Sequence, residues 1–293
     1  MCSPDVMATV HASIKRSGGI RRTRRSLLGH GAALAAAGLA MPLVSQAQDG
    51  TPAPIASPVA TGCIPVGAVA SLSHSNSPDT PVWPGNPSFQ IEVYSTVEAD
   101  GFYTNVLTYH EHTGTHMDSP SHFIADGITA DLISPASLVA PLAVVDVTIQ
   151  AATDEDYGLT VDDLLAWESE HGEIPAGALV AMRSGWDARF TDPAAFIIAD
   201  ADGVMHFPGF SPDAAAFLVN ERTIVGIGSD TLSQDPGNST DFGTHITILG
   251  AGLYGLEGVA NLGSVPDAGA WIVVGSPNHV AASGGPSRLI ALY

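Results

Sequence analysis

Fourteen consecutive residues, His110 to Phe123 (HEHTGTHMDSPSHF), hold four of the chain's eleven histidines together with one aspartate, one glycine and one proline. Neither a buried strand nor an exposed loop calls for four imidazoles, whereas imidazole beside carboxylate is the donor set of a divalent-metal site. His112, His116 and Asp118 share the parity of one strand face. Four residues of strand nevertheless span ~13 Å, too far for two rings to reach one ion at ~2.1 Å each. The chain must curl between them. Gly114, inside Thr113-Gly114-Thr115, is the residue free to take backbone angles closed to the others. Two imidazoles and a carboxylate leave room for water, which is the pattern of a catalytic rather than a structural site. The spacing is not that of a zincin helix: Thr113 stands where H-E-x-x-H needs Glu after His112, and His110-Glu111 meets Gly114 where the second His belongs.

Pro120 ends regular strand pairing and turns the chain, so that His122 returns over the metal without binding it. An unligated imidazole there takes a proton from water activated by the ion and hands it to a leaving group. The structural alternative is a histidine that only hydrogen-bonds the ligands.

The elements that must position these residues follow from pattern. Ile64 to Leu72, Phe89 to Tyr94 and the alternating Gly101 to Tyr109 read as strands, the last leading into the histidines. The loop from His74 to Pro87 is long for a compact domain. Its Trp83 is a candidate wall for an apolar ligand or a cap on the core. Pro141 to Ile149, Ala178 to Met182, Thr223 to Ile227, Trp271 to Gly275 and Leu289 to Tyr293 are apolar runs suited to buried strands. Thr160-Val161-Asp162-Asp163 opens a helix as a capping box and runs to about His171. Ser211-Pro212 starts a second helix, and a third begins near Asp241 and carries His245 to about Gly250. Strands alternating with helices after residue 140 predict an α/β domain whose sheet is covered by a few helices.

The run His112-Thr113-Gly114-Thr115-His116-Met117-Asp118-Ser119-Pro120-Ser121-His122 resembles the signature H-T-G-T-H-x-D-x-P-x-H of the cyclase family of metal-dependent hydrolases, which includes bacterial kynurenine formamidases and isatin hydrolases. The resemblance extends from about Gly67 to the C-terminus. Ser71-Leu72-Ser73-His74 is similar to the family's opening D-L-S-H, with Ser71 in place of the acid. Pro81-Val82-Trp83-Pro84-Gly85 is similar to its P-x-W-P-G loop. Gly185-Trp186-Asp187 and Gly228-Ser229-Asp230-Thr231-Leu232-Ser233 resemble its T-G-W and G-x-D-T-x-S turns, with Ser184 where Thr is common.

The resemblance implies a swivelling β/β/α-type domain with a mixed sheet and an oligomer, commonly a homodimer. It also implies that His245 and Glu257 complete a second metal position, with Asp118 bridging two ions; from spacing alone both residues read as surface groups. The implied cofactor is Zn or Mn, as one or two ions, and the implied reaction opens a C–N bond of an amide or cyclic amide, with His122 as general acid and base. Trp83 and His206 are candidate substrate contacts, with His206 in His206-Phe207-Pro208-Gly209 either lining a pocket or supporting a loop, whereas His110 falls outside the family pattern and reads as structural. Two other functions fit the same ligands: lactone hydrolysis or cyclisation on the same metal, and an exported metal- or ligand-binding protein without activity. Retention of His122 argues against the last, because a pure binder has no use for a poised base.

Composition sets the outer limits. Arg21, Arg22, Arg24 and Arg25 precede an Ala/Gly/Leu run that ends in Ser45-Gln46-Ala47, the anatomy of a cleaved export signal, here of the twin-arginine kind. Residues 1–47 are assigned to that signal, 48–62 to a Pro/Ala/Ser-rich linker, and 63–293 to the working domain, which places the mature protein in the periplasm or outside the cell. Cleavage leaves 246 residues with 4 basic and 29 acidic side chains, a formal charge of −25 and no lysine. Such a surface repels phosphate backbones, so nucleic acid is excluded as a partner. Cys63 alone remains, and one cysteine makes no disulfide within the chain. Neither a G-x-S-x-G nucleophile elbow nor a Gly-rich phosphate loop is present.

Overall fold

The computed structural model describes residue 64 and residues 66–293. The assigned signal, the linker and Cys63 lie outside the described residues. The continuous apolar runs become the middle of a nine-stranded sheet. In chain order its strands are β1 (Val69–Ser71), β2 (His116–Asp118), β3 (Val139–Asp146), β4 (Ala178–Arg183), β5 (Ile224–Ser229), β6 (Tyr254–Glu257), β7 (Ala270–Gly275), β8 (Gly284–Pro286) and β9 (Arg288–Leu292). Their spatial order is β1-β9-β7-β3-β4-β5-β6-β2-β8. Neighbours from β3 to β6 run parallel and the outer pairs antiparallel, the α/β class read from the pattern and the mixed sheet the resemblance implies.

Strand β3 shows why its sequence lacks alternation. Leu142 and Val144 enter one core with Leu179, Leu256 and Ile272, while Ala143 and Val145 enter a second with Val180, Leu164 and Leu218. A strand buried on both faces needs apolar side chains on both. The second core lies under three helices: α1 (Val161–His171), α2 (Pro212–Glu221) and α3 (Gly243–Gly250). Thr160 and Asp163 form the predicted capping box of α1, and Ser211 caps α2 with Pro212 in its first turn. Among the described residues no helix is long and apolar enough to cross a membrane.

Residues Gln90–Ser95 and Thr104–Thr108 form a separate two-stranded ribbon. It exposes Ile91, Val93 and Leu107 on one face and Tyr94 and Val106 on the other.

The end of the sheet that matters for chemistry is β6-β2-β8. Glu257 pairs directly with His116, and Gly255 with Asp118, so His116, Asp118 and Glu257 rise on one face. Met117 and Leu256 point the opposite way into the core. Gly255 is required by its neighbour across that face: a Cβ there would lie 1.8 Å from Gln234 Nε2, in a fully buried amide. Gly255→Ala is therefore expected to lower stability by about 1–3 kcal/mol through overpacking and to weaken metal uptake by pushing Gln234 off Asp118. Denaturant unfolding with an unchanged midpoint would contradict it.

Candidate metal centre

Each predicted bend is present. Gly114 takes φ of +63°, and the residues before it curl back so that the His112 and His116 ring centroids stand 5.2 Å apart. No side chain fits at Gly114, because Asn76 Oδ1 would be 2.0 Å from a Cβ there. Pro120–His122 form one turn of 3-10 helix, which stacks the His122 ring on that of His112 at 3.8 Å.

Asp118 is fully buried and stands at the middle of the histidines. His112 Nδ1 lies 2.7 Å from its Oδ1, His116 Nε2 3.3 Å from Oδ1, and His245 Nε2 3.3 Å from Oδ2. Glu257 repeats the division, with Oε2 3.3 Å from His116 Nε2 and Oε1 3.1 Å from His245 Nε2. Gln234 joins the second half: its side-chain amide donates to Asp118 Oδ2 and its backbone N–H to Glu257 Oε1, both at 3.0 Å. The structure therefore brings together His112, His116, Asp118, His245, Glu257 and His122, on four separated stretches of chain counting Gln234.

The hydrogen bonds behind the rings decide what this cluster can bind. His116 Nδ1 donates to the Gly114 carbonyl at 2.9 Å, and a carbonyl only accepts. In the neutral ring Nε2 then carries a lone pair, and it is buried without a hydrogen-bond partner beside two acid oxygens. His245 is arranged in the same way. Its Nδ1 meets Asp235 Oδ2 at 2.5 Å, and the Asp235 carboxylate also accepts the Thr244 and His245 backbone N–H groups at the start of α3. Ring lone pairs and carboxylate oxygens converging without a donor between them is an arrangement that a cation satisfies. The residues present fit a divalent ion.

Without that cation, protons do the same work. Burial opposes charge on His116, but the Asp118 and Glu257 carboxylates, each 3.3 Å from Nε2, override it and raise the imidazole to about 10. Burial likewise opposes ionisation of Asp118, yet His112, His116 and His245 hold its carboxyl well below the usual carboxylate range. Ion and proton therefore compete for His116. Apparent affinity for Zn²⁺ or Mn²⁺ is expected to rise at least about tenfold per pH unit from pH 6 to 8, with proton release on binding. Calorimetry in buffers of different ionisation enthalpy measures that release, and uptake without it would contradict the ligand set.

His122 follows the opposite rule. Desolvation lowers its imidazole to about 4 against the pull of the Asp118 charge, so the ring is neutral and able to accept a proton at neutral pH.

Beside these side chains lies a cavity of about 300 Å³. Its walls are Trp83, Phe123, Phe190, Phe196, Leu232 and Phe242, with His110, His112, His116, His122, His245 and Glu257 on the polar side. Trp83 is thus a wall, as the sequence suggests, set 6.0 Å from the Phe242 ring. His110 does more than the sequence indicates: it lines the cavity, and its Nδ1 accepts the His112 backbone N–H at 3.3 Å. His206 is a correction. Its Nδ1 sits 2.9 Å from Asp156 Oδ2 and its Nε2 3.7 Å from Asp200, and two carboxylates hold it away from the cavity walls.

The G-x-D-T-x-S and G-W-D turns prove to be one structural unit. Buried Asp230 accepts the backbone N–H groups of Ser184, Gly185 and Trp186, which sets the short helix Trp186–Arg189 and brings Phe190 to the cavity. Asp235, Gln234, Glu111, Ser283 and the phenylalanine walls escape sequence reasoning. The only available signal was the crowding of polar residues in Ser233-Gln234-Asp235.

Residues 70–236 match the family model described as "Putative cyclase". An isatin hydrolase of Roseibium aggregatum is 37% identical over 233 residues, covering 73% of this chain and 88% of that one. A kynurenine formamidase of Salinibacter ruber is 30% identical over 201 residues, covering 68% and 85%. Among solved structures, an isatin hydrolase bound to the product analogue thioisatinate superposes with a TM-score of 0.73 at 35% identity, covering 77% of this chain and 92% of that one.

Proposed function

This chain belongs to the cyclase family of metal-dependent hydrolases, and from that premise we propose that it opens the C–N bond of an amide or cyclic amide carried on an aromatic ring. The observation that carries the reading is the buried, unpartnered His116 Nε2 facing Asp118 and Glu257 beside an aromatic-walled cavity. His112, His116, Asp118, His245 and Glu257 hold the metal, Zn or Mn, in one or two positions. A bound divalent ion supplies Lewis acidity, drawing electron density from a carbonyl oxygen and making water acidic near neutral pH.

The protein's own residues do the rest. Trp83, Phe123, Phe190 and Phe242 take up an aromatic ring and exclude water, which strengthens every charge interaction in the cavity. Held against the wall, the scissile carbonyl is fixed next to the ligands instead of finding them by chance. His122 Nε2 or Nδ1 takes the proton from the attacking water and returns it to the departing nitrogen. Gln234, donating to Asp118 Oδ2 and Glu257 Oε1, keeps both acids oriented while their other oxygens face His116.

The relatives' names divide between an isatin-type cyclic amide and an aryl formamide. The greater identity to the isatin hydrolase favours the cyclic amide. The test is hydrolysis of isatin, an N-formyl aryl amine and an aryl lactone by the metal-loaded mature chain. Isatin is expected as the best of the three. Lactone turnover alone would replace the reading by lactone hydrolysis, and metal-loaded protein inert towards all three would overturn it in favour of a binding protein.

The chain is further proposed to work as an exported homodimer. The twin-arginine-type N-terminus supports export. The uncovered ribbon of residues 90–108 supports pairing, because a two-stranded ribbon with apolar side chains on both faces needs another surface to hold it in water. Fractionation of cells and light scattering of the purified mature chain test the two points.

A further inference from the structure

Glu111 and Ser283 do not face the metal position, yet they act on the one ligand histidine whose orientation no backbone carbonyl or acid behind it fixes. His112 turns Nδ1 to Asp118 Oδ1 at 2.7 Å, and its Nε2 lies 3.0 Å from Ser283 Oγ. Ser283 Oγ and its backbone N both stand against Glu111 Oε2, at 2.5 and 3.0 Å. A hydroxyl has one proton to give, and an ionised carboxylate gives none. The Ser283 proton therefore goes to Glu111, and its oxygen is left to accept from His112 Nε2–H. A neutral imidazole protonated at Nε2 carries its lone pair on Nδ1. That is the nitrogen turned towards Asp118.

Ser283 is itself held from behind. Its carbonyl accepts the Ser119 backbone N–H and the Ser119 hydroxyl, each at 2.9 Å. The next residue, Gly284, pairs with Asp118 at the start of β8. A Cβ on Gly284 would lie 2.2 Å from the Met117 carbonyl and 3.1 Å from His112 Cε1, so the backbone carrying Ser283 packs directly on the ligand ring.

We propose that Glu111 and Ser283 are a positioning pair that fixes His112 as an Nδ1 ligand, which makes the C-terminal segment part of the metal-holding apparatus. This rests on the metal-dependent reading above. The order of protons predicts different outcomes for the two residues. Ser283→Ala removes the acceptor and frees the ring. Glu111→Gln keeps an amide oxygen that still accepts both the Ser283 hydroxyl and its backbone N–H. Glu111→Leu does something more specific: it leaves no acceptor there, so the Ser283 hydroxyl turns its proton to His112 Nε2 and the ring proton moves to Nδ1 against Asp118.

The test uses the intact mature chain, stripped of metal and titrated with Zn²⁺ and with Mn²⁺. Ser283→Ala and Glu111→Leu are each expected to raise Kd about 10–100-fold, and Ser283→Thr, which keeps the hydroxyl, to stay near wild type. Nitrogen-15 spectra of the zinc-loaded wild type are expected to show His112 bound through Nδ1 with its proton on Nε2, and those of the zinc-loaded Glu111→Leu protein to lose that Nε2–H hydrogen bond. That signature does not arise from loosened packing. Wild-type affinity in both variants would overturn the pair's role while leaving the metal reading intact. A wild-type chain that binds neither ion would overturn the metal reading and this inference with it.

Discussion

Asp118→Asn is expected to give a folded chain that retains no divalent ion through dialysis and hydrolyses its amide substrate at least about 10⁴-fold more slowly, a loss of ~5 kcal/mol or more in transition-state stabilisation. The size of the effect follows from how many partners one side chain serves. Asp118 touches His112, His116 and His245, and Gln234 donates to its Oδ2. Asparagine keeps the shape but replaces one acceptor oxygen with a donor, which then points its N–H groups either at Gln234 or at the ring nitrogens. Turned to Gln234 the amide sets donor against donor, and turned to the rings it occupies the lone pairs an ion would take; in either orientation the negative charge that draws a cation is gone. Elemental analysis after dialysis and a progress curve with added Zn²⁺ or Mn²⁺ measure both effects. Stoichiometric metal together with activity within about tenfold of wild type would show that the acid is no ligand.

His122→Ala is expected to separate binding from chemistry. His122 stacks on His112 but lies outside the hydrogen bonds that orient the other rings, so the ion should remain while kcat falls about 10²–10⁴-fold, the usual contribution of a positioned acid–base group. KM should change little. The pH profile should also lose the limb belonging to this imidazole, which in the metal-free protein sits near 4. Small amines or imidazole added to the variant can enter the space left behind and are expected to restore part of the rate. Loss of the ion along with the side chain would make His122 a ligand, and an unchanged kcat would make it a bystander.

Much of this site was legible because its constraints are local. A glycine between two histidines, a proline after the aspartate and a third histidine two residues later specify a curl and a turn, and the backbone at Gly114 and Pro120 takes both. Helix starts at Thr160 and Ser211 were equally local, since a capping side chain reaches only to the third residue beyond it. What depends on pairing across the sheet was not legible. Glu257 faces His116 because β6 and β2 align in one register, and no spacing within Tyr254 to Glu257 records that partner; only the family resemblance singled it out. Ser283 and Glu111 are 172 positions apart and meet where the curl before Gly114 folds back on the segment that leads into β8. The cavity walls come from single aromatic residues scattered from Trp83 to Phe242, each indistinguishable in sequence from a core residue. His206 falls to the loop-supporting alternative because the carboxylates that hold it, Asp156 and Asp200, lie in segments its own neighbours do not record.

The antiparallel match of β2 to β6 has a consequence for how such a protein changes over generations. The proposed metal donors at 116, 118 and 257 are fixed by a ladder of backbone hydrogen bonds, whereas Trp83, Phe190 and Phe242 stand on connections between elements. Mutations in the connections can reshape the chamber one side chain at a time and leave the ladder untouched. A lineage built this way inherits its catalytic power intact while it exchanges one substrate for the next, and its members are expected to diverge first in their loops.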